Sequence, residues 1–193
     1  RSAKTPWPMA LHPHQGLRRS QVSARLLFIA ATGVLLAIGG CSPALNWRQV
    51  PLGELRFTLP CKPDQAQRAV TLADRSVALD MQGCEADGAL FAISRAQVGD
   101  ATAVPAVLAA WRVSALAAMQ ASPEQTRALP APAVPGVATA SWLAASGQRP
   151  QGGTVQAQLG WLVQGSTVYH LAVYADRLRP ELTEPFVSDI AKP

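Results

Sequence analysis

Apolar and polar residues alternate along several segments of the chain after residue 54. The alternation is cleanest in 154–163, where Val155, Leu159 and Trp161 are separated by glutamine and glycine. A strand with one face against a core has this period of two. The pattern predicts strands at 55–59, 67–72, 75–83, 88–98, 137–146, 154–163 and 167–175.

Short polar or glycine-rich segments separate the predicted strands. Ala73-Asp74 stands between two strands and predicts a hairpin. The segment 147–153 contains three glycines and predicts a flexible tip, and 164–166 predicts a tight turn.

A different period marks the segment 103–121, which we predict to be the long helix. Its larger apolar residues recur at intervals of three or four, as on one face of an α-helix. The stripe comprises Val104, Leu108, Trp111, Ala115 and Met119. Thr102 is the predicted N-cap, Pro105 falls in the first turn, where proline is tolerated, and Ser122-Pro123 ends the helix. We interpret the stripe as packing.

The elements follow the order β-β-β-β-α-(β)-β-β-β-α, with one strand after the helix left unplaced. A short last helix carries Phe186, Val187 and Ile190, and Pro180 and Pro185 bracket its start. Strands and helices segregated in this way predict an α+β fold. We expect one domain over 47–193, an antiparallel sheet with both helices packed on it.

An uncharged apolar run, Leu26–Gly40, precedes all of these elements. Its length fits the core of a signal peptide and is short of the roughly 20 residues that cross a bilayer as a helix. Arg18, Arg19 and Arg25 supply the positive charge expected before such a core. We therefore expect 1–40 to be a signal peptide that directs export by the Sec route.

Residues 1–17 are not assigned to the predicted fold. The chain starts at Arg1, and Met9 and Val22 are alternative translation starts. We expect 1–17 to come from an over-extended gene start.

The apolar run ends in Ile38-Gly39-Gly40-Cys41, which resembles the lipobox of bacterial lipoproteins. The resemblance implies diacylglyceryl transfer to the Cys41 sulfur, signal cleavage between Gly40 and Cys41, and a further acyl chain such as palmitate on the new amino terminus. Two or three acyl chains anchor a protein stably, whereas one holds it marginally. Residues 41–46 then form a tether, and an uncleaved single-span anchor is the alternative.

Ser42 bears on the choice of membrane. In enteric lipoproteins an aspartate at this position favours retention in the inner membrane. We expect a protein that faces the periplasm, with the outer membrane favoured over the inner one.

The net charge of +5 does not describe the mature domain. Five of the 17 basic residues precede Cys41 and all 12 acidic residues follow it, which leaves 12 basic residues against 12 acidic ones. Binding to nucleic acid needs clustered basic charge that neutralises phosphates. We therefore expect no nucleic-acid partner. At 49% hydrophobic and 15% charged residues, the composition is that of a globular protein.

Cys61 and Cys84 remain once Cys41 is assigned to lipid. Two cysteines in an oxidising compartment predict a disulfide, worth roughly 3–4 kcal/mol by the chain-entropy argument. A zinc site would need more ligands, and His170 is the only histidine after Cys41. A redox dithiol would favour a C-x-x-C pair, which does not occur. We expect no metal and no cofactor.

Catalytic residues are not evident in the sequence. His170 would lie in the middle of a strand, where it is either a general base or a packed histidine, and we favour the second interpretation. Glu85 and Asp87 are two carboxylates without the oxygen-rich loop of a calcium site. Exposed tryptophan near 147–153 would mark a partner surface, but the sequence does not show whether Trp142 and Trp161 are exposed.

The segment Leu55–Pro63, LRFTLPCKP, is similar to the opening strand F-x-hydrophobic-P-x-K-P of small envelope lipoproteins. With the late Val-Tyr strand and the closing helix, the layout of 47–191 resembles the PsbP-like and DcrB-like α/β/α sandwich. The resemblance implies an accessory or interaction protein without catalytic residues. Cys61 stands where many such sequences have glycine.

These observations are compatible with three functions. The first is a membrane-tethered, non-enzymatic module that binds or supports an envelope protein. The second is a carrier of a small ligand, with an apolar cavity between the sheet and the 103–121 helix. The third is an enzyme with a cleft at His170 or at Glu85 and Asp87. We favour the first.

Overall fold

The computed structural model describes residues 44–192, which form an antiparallel β fold with two α-helices. The strands are β1 (Arg48–Leu52), β2 (Leu55–Leu59), β3 (Asp64–Leu72), β4 (Arg75–Ala86), β5 (Ala89–Gln97), β6 (Thr126–Leu129), β7 (Thr139–Gln148), β8 (Thr154–Gln164) and β9 (Thr167–Ala175). The helices are α1 (Val104–Ala118) and α2 (Pro180–Ser188). The prediction of an α+β fold built on an antiparallel sheet is confirmed.

Strands β3 to β9 form one seven-stranded sheet in the order β3-β4-β5-β9-β8-β7-β6. The last strand, β9, lies near the centre, where Ala175 pairs with Ala89 of β5 on one side and with Gln156 of β8 on the other. All of these pairings are antiparallel. The chain therefore returns across the sheet before it closes the middle.

Both faces of this sheet are covered, because successive side chains of a strand point to opposite sides. On the first face, called the α1 face, the α1 residues Val107 and Trp111 pack with Leu159 and Trp161 of the sheet. On the second face, the β1–β2 hairpin and α2 pack against the sheet; we call it the hairpin face. Its core comprises Leu55, Phe57, Leu59, Phe91, Ile93, Leu171, Leu182 and Phe186.

The long helix begins and ends differently from the prediction. The predicted cap, Thr102, is wrong: Ala103 precedes α1 without a side-chain cap, and Asp100 caps the turn before it, where its carboxylate accepts from the Thr102 backbone N–H at 2.9 Å. A 3₁₀ turn, Ala101–Ala103, leads into α1. The helix ends at Ala118, three residues before the predicted end, because Gln120 takes a positive φ of 51° and turns the chain away.

Two strands were not placed by the sequence pattern. β1 contains Pro51 and has few apolar residues, and it pairs with β2 from Arg48↔Leu59 to Leu52↔Leu55. β6 pairs with β7 from Thr126↔Ala145 to Leu129↔Trp142 and is the strand left unplaced after the helix. In both cases a neighbouring strand supplies the stabilising pairing.

The two edges of the sheet differ in length and exposure. β6 is a four-residue edge, whereas β3 is nine residues long and is exposed from Asp64 to Ala69. The β3–β4 hairpin turns at Ala73 and Asp74, which both have positive φ, 50° and 59°. This two-residue turn confirms the predicted hairpin and fixes its register.

Candidate functional site

The predicted lipidation and cleavage residues, Gly40 and Cys41, lie outside the residues that the structure describes. The described chain is hydrogen-bonded to the folded domain from Asn46 onward. The Asn46 backbone N–H donates to the Pro60 carbonyl at 2.7 Å, and the Trp47 ring packs edge-on against Phe91 at 5.8 Å. Leu45 and Trp47 both pack against the core of the hairpin face, so the described part of the chain begins on that face.

Cys61 and Cys84 form the predicted disulfide, with their Cα atoms 6.0 Å apart. Cys61 lies in the connection between β2 and β3, and Cys84 lies in β4, where its side chain packs against the core of the hairpin face. The bridge therefore fastens the β1–β2 hairpin to the main sheet. Its position indicates a structural role.

His170 is buried on the α1 face in the middle of β9. The imidazole stacks on the Trp161 ring, with centroids 4.7 Å apart, and meets the edge of Trp111 at 5.5 Å. Nδ1 lies 3.0 Å from the Gly160 carbonyl oxygen, which can only accept, so Nδ1 carries the hydrogen. Burial lowers the pKa of His170 to about 4, and the ring is neutral at pH 7. The Arg112 guanidinium lies over the Trp161 ring, 5.3 Å from its centroid.

Ser94 is the nucleophilic residue nearest to His170 by strand register, since the two residues pair directly across β5 and β9. Ser94 is also buried, and sequence reasoning did not identify the juxtaposition, because it depends on the β5–β9 pairing. A hydroxyl activated for attack needs a hydrogen bond to the base and a third group that orients the base. No hydrogen bond joins Ser94 and His170, and a carbonyl takes the place of an acid. This arrangement favours packing over general-base chemistry.

Glu85 and Asp87 do not converge on a shared site. Glu85 is exposed on β4, and Asp87 lies in the β4–β5 turn, where it forms an ion pair with Arg179 at the start of α2. Within residues 44–192, no group of three histidine, cysteine or acidic residues is placed to hold a metal ion. The Asp87–Arg179 pair instead connects the turn to α2.

Trp142 and Trp161 are core residues, with 3% and 1% of their surface exposed. Trp142 packs on the hairpin face and Trp161 on the α1 face. Neither therefore supplies an exposed tryptophan near the β7–β8 tip. At that tip Arg149 forms an ion pair with Asp176.

An open groove of about 490 Å³ runs beside α2 on the hairpin face. Its floor comes from β6, β7 and β8, and its polar lining includes Arg127, Ser146, Gln156, Gln158, Arg179 and Thr183. The lining also includes apolar residues such as Leu129 and Leu178, and the groove lies on the face opposite α1. This groove is therefore not the cavity that the sequence predicts between the sheet and the long helix.

A second cleft, of about 530 Å³, lies between the β1–β2 turn and the strands β3 and β4. Asp80 accepts hydrogen bonds from Gln67, at 2.8 Å, and from Arg95. Gln82 donates to the Pro51 carbonyl at 2.9 Å, while its Oε1 atom is buried without a partner among the described residues. The cleft can hold a polar side chain next to the β3 edge.

The outward side of α1 is unusually apolar for a surface helix. Val113 is 68% exposed, and only Arg112 is charged between Val104 and Ala118. By length and composition, Ala101–Ala118 is the one helix in the described range that could cross a membrane, with a mean hydropathy of 1.5. Its inward side, however, carries Trp111 and packs on the sheet, as the core helix of a domain does.

Comparison with known proteins adds no relative to these observations: no protein-family model matches the chain, and no curated protein sequence matches it.

Proposed function

We propose that this chain is a lipoprotein of the bacterial envelope whose folded domain acts as a non-enzymatic interaction module at a membrane surface. The observation that carries the proposal is the sequence Ile38-Gly39-Gly40-Cys41 at the end of an uncharged apolar run preceded by arginines. Removal of 1–40 leaves Cys41 as the lipidated amino terminus, on the periplasmic side, with the outer membrane favoured.

The Cys61–Cys84 disulfide supports an exported protein, because such bridges persist in oxidising compartments. The short tether supports a role close to the lipid. Only Ser42–Leu45 separates Cys41 from the hydrogen-bonded Asn46. Five residue-to-residue steps at roughly 3.5 Å each hold Asn46 within about 18 Å of the Cys41 backbone.

The arrangement of the sheet supports an interaction role. α1 lies on one face and the hairpin and α2 on the other, a layout similar to the PsbP-like and DcrB-like sandwich, whose members are mainly accessory proteins. More direct support comes from the surface, where the apolar outer side of α1 and the open β3 edge are both available to partners.

Intact mass spectrometry of the membrane-extracted protein, alkylated without reduction, tests the anchor. We expect a mass that starts at Cys41 and includes acyl chains, with Cys61 and Cys84 unalkylated. Cys41→Ser is the matched control and should lose the acyl mass and its retention on the membrane. A full-length chain without lipid would show an uncleaved single-span protein instead.

Complementation of a deletion strain tests interaction against catalysis. Cys41→Ser should fail to restore the phenotype, whereas His170→Gln and Ser94→Ala should restore it, provided that circular dichroism shows a folded protein. A folded His170→Gln protein that restores nothing would contradict the non-enzymatic role and favour an enzyme.

A further inference from the structure

The edge strand β3 has the features of a strand that pairs with another chain. In the described part of the molecule no strand lies beyond β3, and its residues Asp64–Ala69 are exposed on both faces. Proteins usually protect such edges with proline, lysine, bulges or short length. Between Gln65 and Leu72 the only charge is Arg68, and proline does not occur. The opposite edge, β6, is protected by its four-residue length.

The hairpin turn determines which backbone groups face outward. Because the turn has two residues, Ala73 and Asp74, with positive φ, its flanking residues Leu72 and Arg75 form a hydrogen-bonded pair. Hydrogen-bonded and non-hydrogen-bonded pairs then alternate along β3. The outward N–H and C=O groups therefore belong to the odd-numbered residues, which are Gln65, Gln67, Ala69 and Thr71.

We propose that β3 pairs antiparallel with β3 of a second copy of this chain, with Ala66 opposite Ala66. In this register Gln65 exchanges backbone hydrogen bonds with Gln67 of the second copy. Asp64 lies directly opposite Arg68 of the second copy, and the two-fold symmetry repeats the pair. Opposite charges placed directly across an antiparallel pair are stabilising, and like charges are destabilising.

Charge selects this register over the longest one. A pairing centred on Arg68 would align all nine residues of β3 but would place the two Arg68 side chains directly opposite each other. The nearest acid of β3 on the same face is Asp64, four residues away. Centring on Ala66 shortens the overlap and neutralises both arginines. A surface that complements itself in this way is what an isologous dimer requires.

The symmetry is compatible with two anchors in one membrane. A two-fold axis perpendicular to the sheet reverses the strand direction but leaves each face on its own side. Both hairpin faces, on which the described part of each chain begins, then point the same way. Confinement to a membrane would raise the local concentration and favour pairing, although the pairing itself does not depend on lipid at Cys41.

Cysteine cross-linking in the full chain, in its own membrane, tests the proposal. In non-hydrogen-bonded pairs the Cα atoms lie about 4.5 Å apart, within the range that a disulfide bridges. Ala66→Cys should therefore give a covalent dimer on mild oxidation, with the bridge mapped to residue 66 in both copies. Ala69→Cys is the matched control, because in this register the two residues lie roughly 20 Å apart.

Charge exchange separates this interface from random collision. Adding Arg68→Asp to Ala66→Cys should reduce the cross-linked fraction at least several-fold, and adding Asp64→Arg as well should restore it. Equal cross-linking of Ala66→Cys and Ala69→Cys, or a monomeric Ala66→Cys chain, would overturn the proposal. A disulfide from the Ala66→Cys variant to a different protein would also overturn it, and would assign the edge to another partner.

Discussion

His170 shows what one titratable residue contributes when it is used for packing. The neutral ring fills a layer between Trp111 and Trp161 and donates to a carbonyl at 3.0 Å. A charged imidazole in this place would lose hydration without gaining an acidic partner. Protonation of His170 therefore opposes folding.

We expect stability to fall as the pH drops from about 6.5 to about 4. The pKa of His170 is lowered to about 4 in the folded chain, so in this window the unfolded state binds more protons and stability rises with pH. A shift of this size corresponds to about 3 kcal/mol. Urea unfolding at pH 7 and pH 4 measures it, and His170→Gln should lose less stability over the same interval. Equal losses in both proteins would contradict this origin.

Gly160 is the second residue whose identity follows from packing. A Cβ built there would overlap the Trp142 ring, which is itself buried. Its backbone does not require glycine, unlike the positive-φ glycines of the turns. Glycine is thus needed for the close approach of the indole.

Gly160→Ala should lower the free energy of unfolding by about 1–3 kcal/mol, as overpacking does in well-packed cores. Calorimetry or urea unfolding gives the value. In a double-mutant cycle, Trp142→Leu should remove most of the cost of the alanine, because the two changes share one contact. Additive effects would place the strain elsewhere.

At the scale of elements, the sequence pattern predicted the bounds of β8 and β9, two adjacent strands of the main sheet, most closely. The observed β9 is the predicted 167–175, and the observed β8 extends the predicted 154–163 by one residue. β1 could not be predicted, because Arg-Gln-Val-Pro-Leu does not alternate cleanly and depends on β2 for its hydrogen bonds. The disulfide could be predicted, because two cysteines remain after Cys41 in a chain that is expected to be exported. The Ser94–His170 pairing could not be predicted, because it depends on the order of the strands in the sheet.

Asp100, rather than the predicted Thr102, caps the 3₁₀ turn that leads into α1. Thr102 and Asp100 both have side chains that can cap a helix, and their own hydrogen bonds decide between them. The Thr102 hydroxyl donates to the Asp100 carboxylate at 2.6 Å, and the Thr102 backbone N–H donates to it as well. These bonds hold the pKa of Asp100 below its usual value.

Asp100→Ala should therefore lower the midpoint of thermal unfolding by a few degrees, because it removes both hydrogen bonds that hold the turn before α1. Thr102→Ala should cost less, since the backbone hydrogen bond to Asp100 remains. Thermal unfolding of the two variants compares them directly. A larger loss of stability in Thr102→Ala than in Asp100→Ala would favour Thr102 as the capping residue, as the sequence predicts.

At the scale of the whole molecule, the disulfide joins parts that the strand ladder leaves separate. The β1–β2 hairpin does not pair with the main sheet, and the isolated bridge between Arg56 and Ala191 links it to the end of the chain. Cys61–Cys84 adds a covalent link from this layer to β4. The attachment of the hairpin should therefore depend on oxidation.

The double variant Cys61→Ala/Cys84→Ala should lose about 3 kcal/mol of stability, chiefly through the greater freedom of its unfolded chain. Urea unfolding should give the same midpoint for this variant and for the reduced wild-type protein. A double variant as stable as the oxidised protein would show that the bridge adds nothing to the fold.

The central position of β9 also bears on the order in which the protein can be made. β5 ends at Gln97, and the strand that covers its free edge begins at Thr167. A chain that emerges from a ribosome or an export channel with its amino terminus first would expose the edge of β5 until β9 has emerged as well. The hairpin layer is completed later still, since Arg56 bonds to Ala191. Completion of the domain is therefore a terminal event, and a chain stalled before β9 would be a substrate for chaperones or proteases.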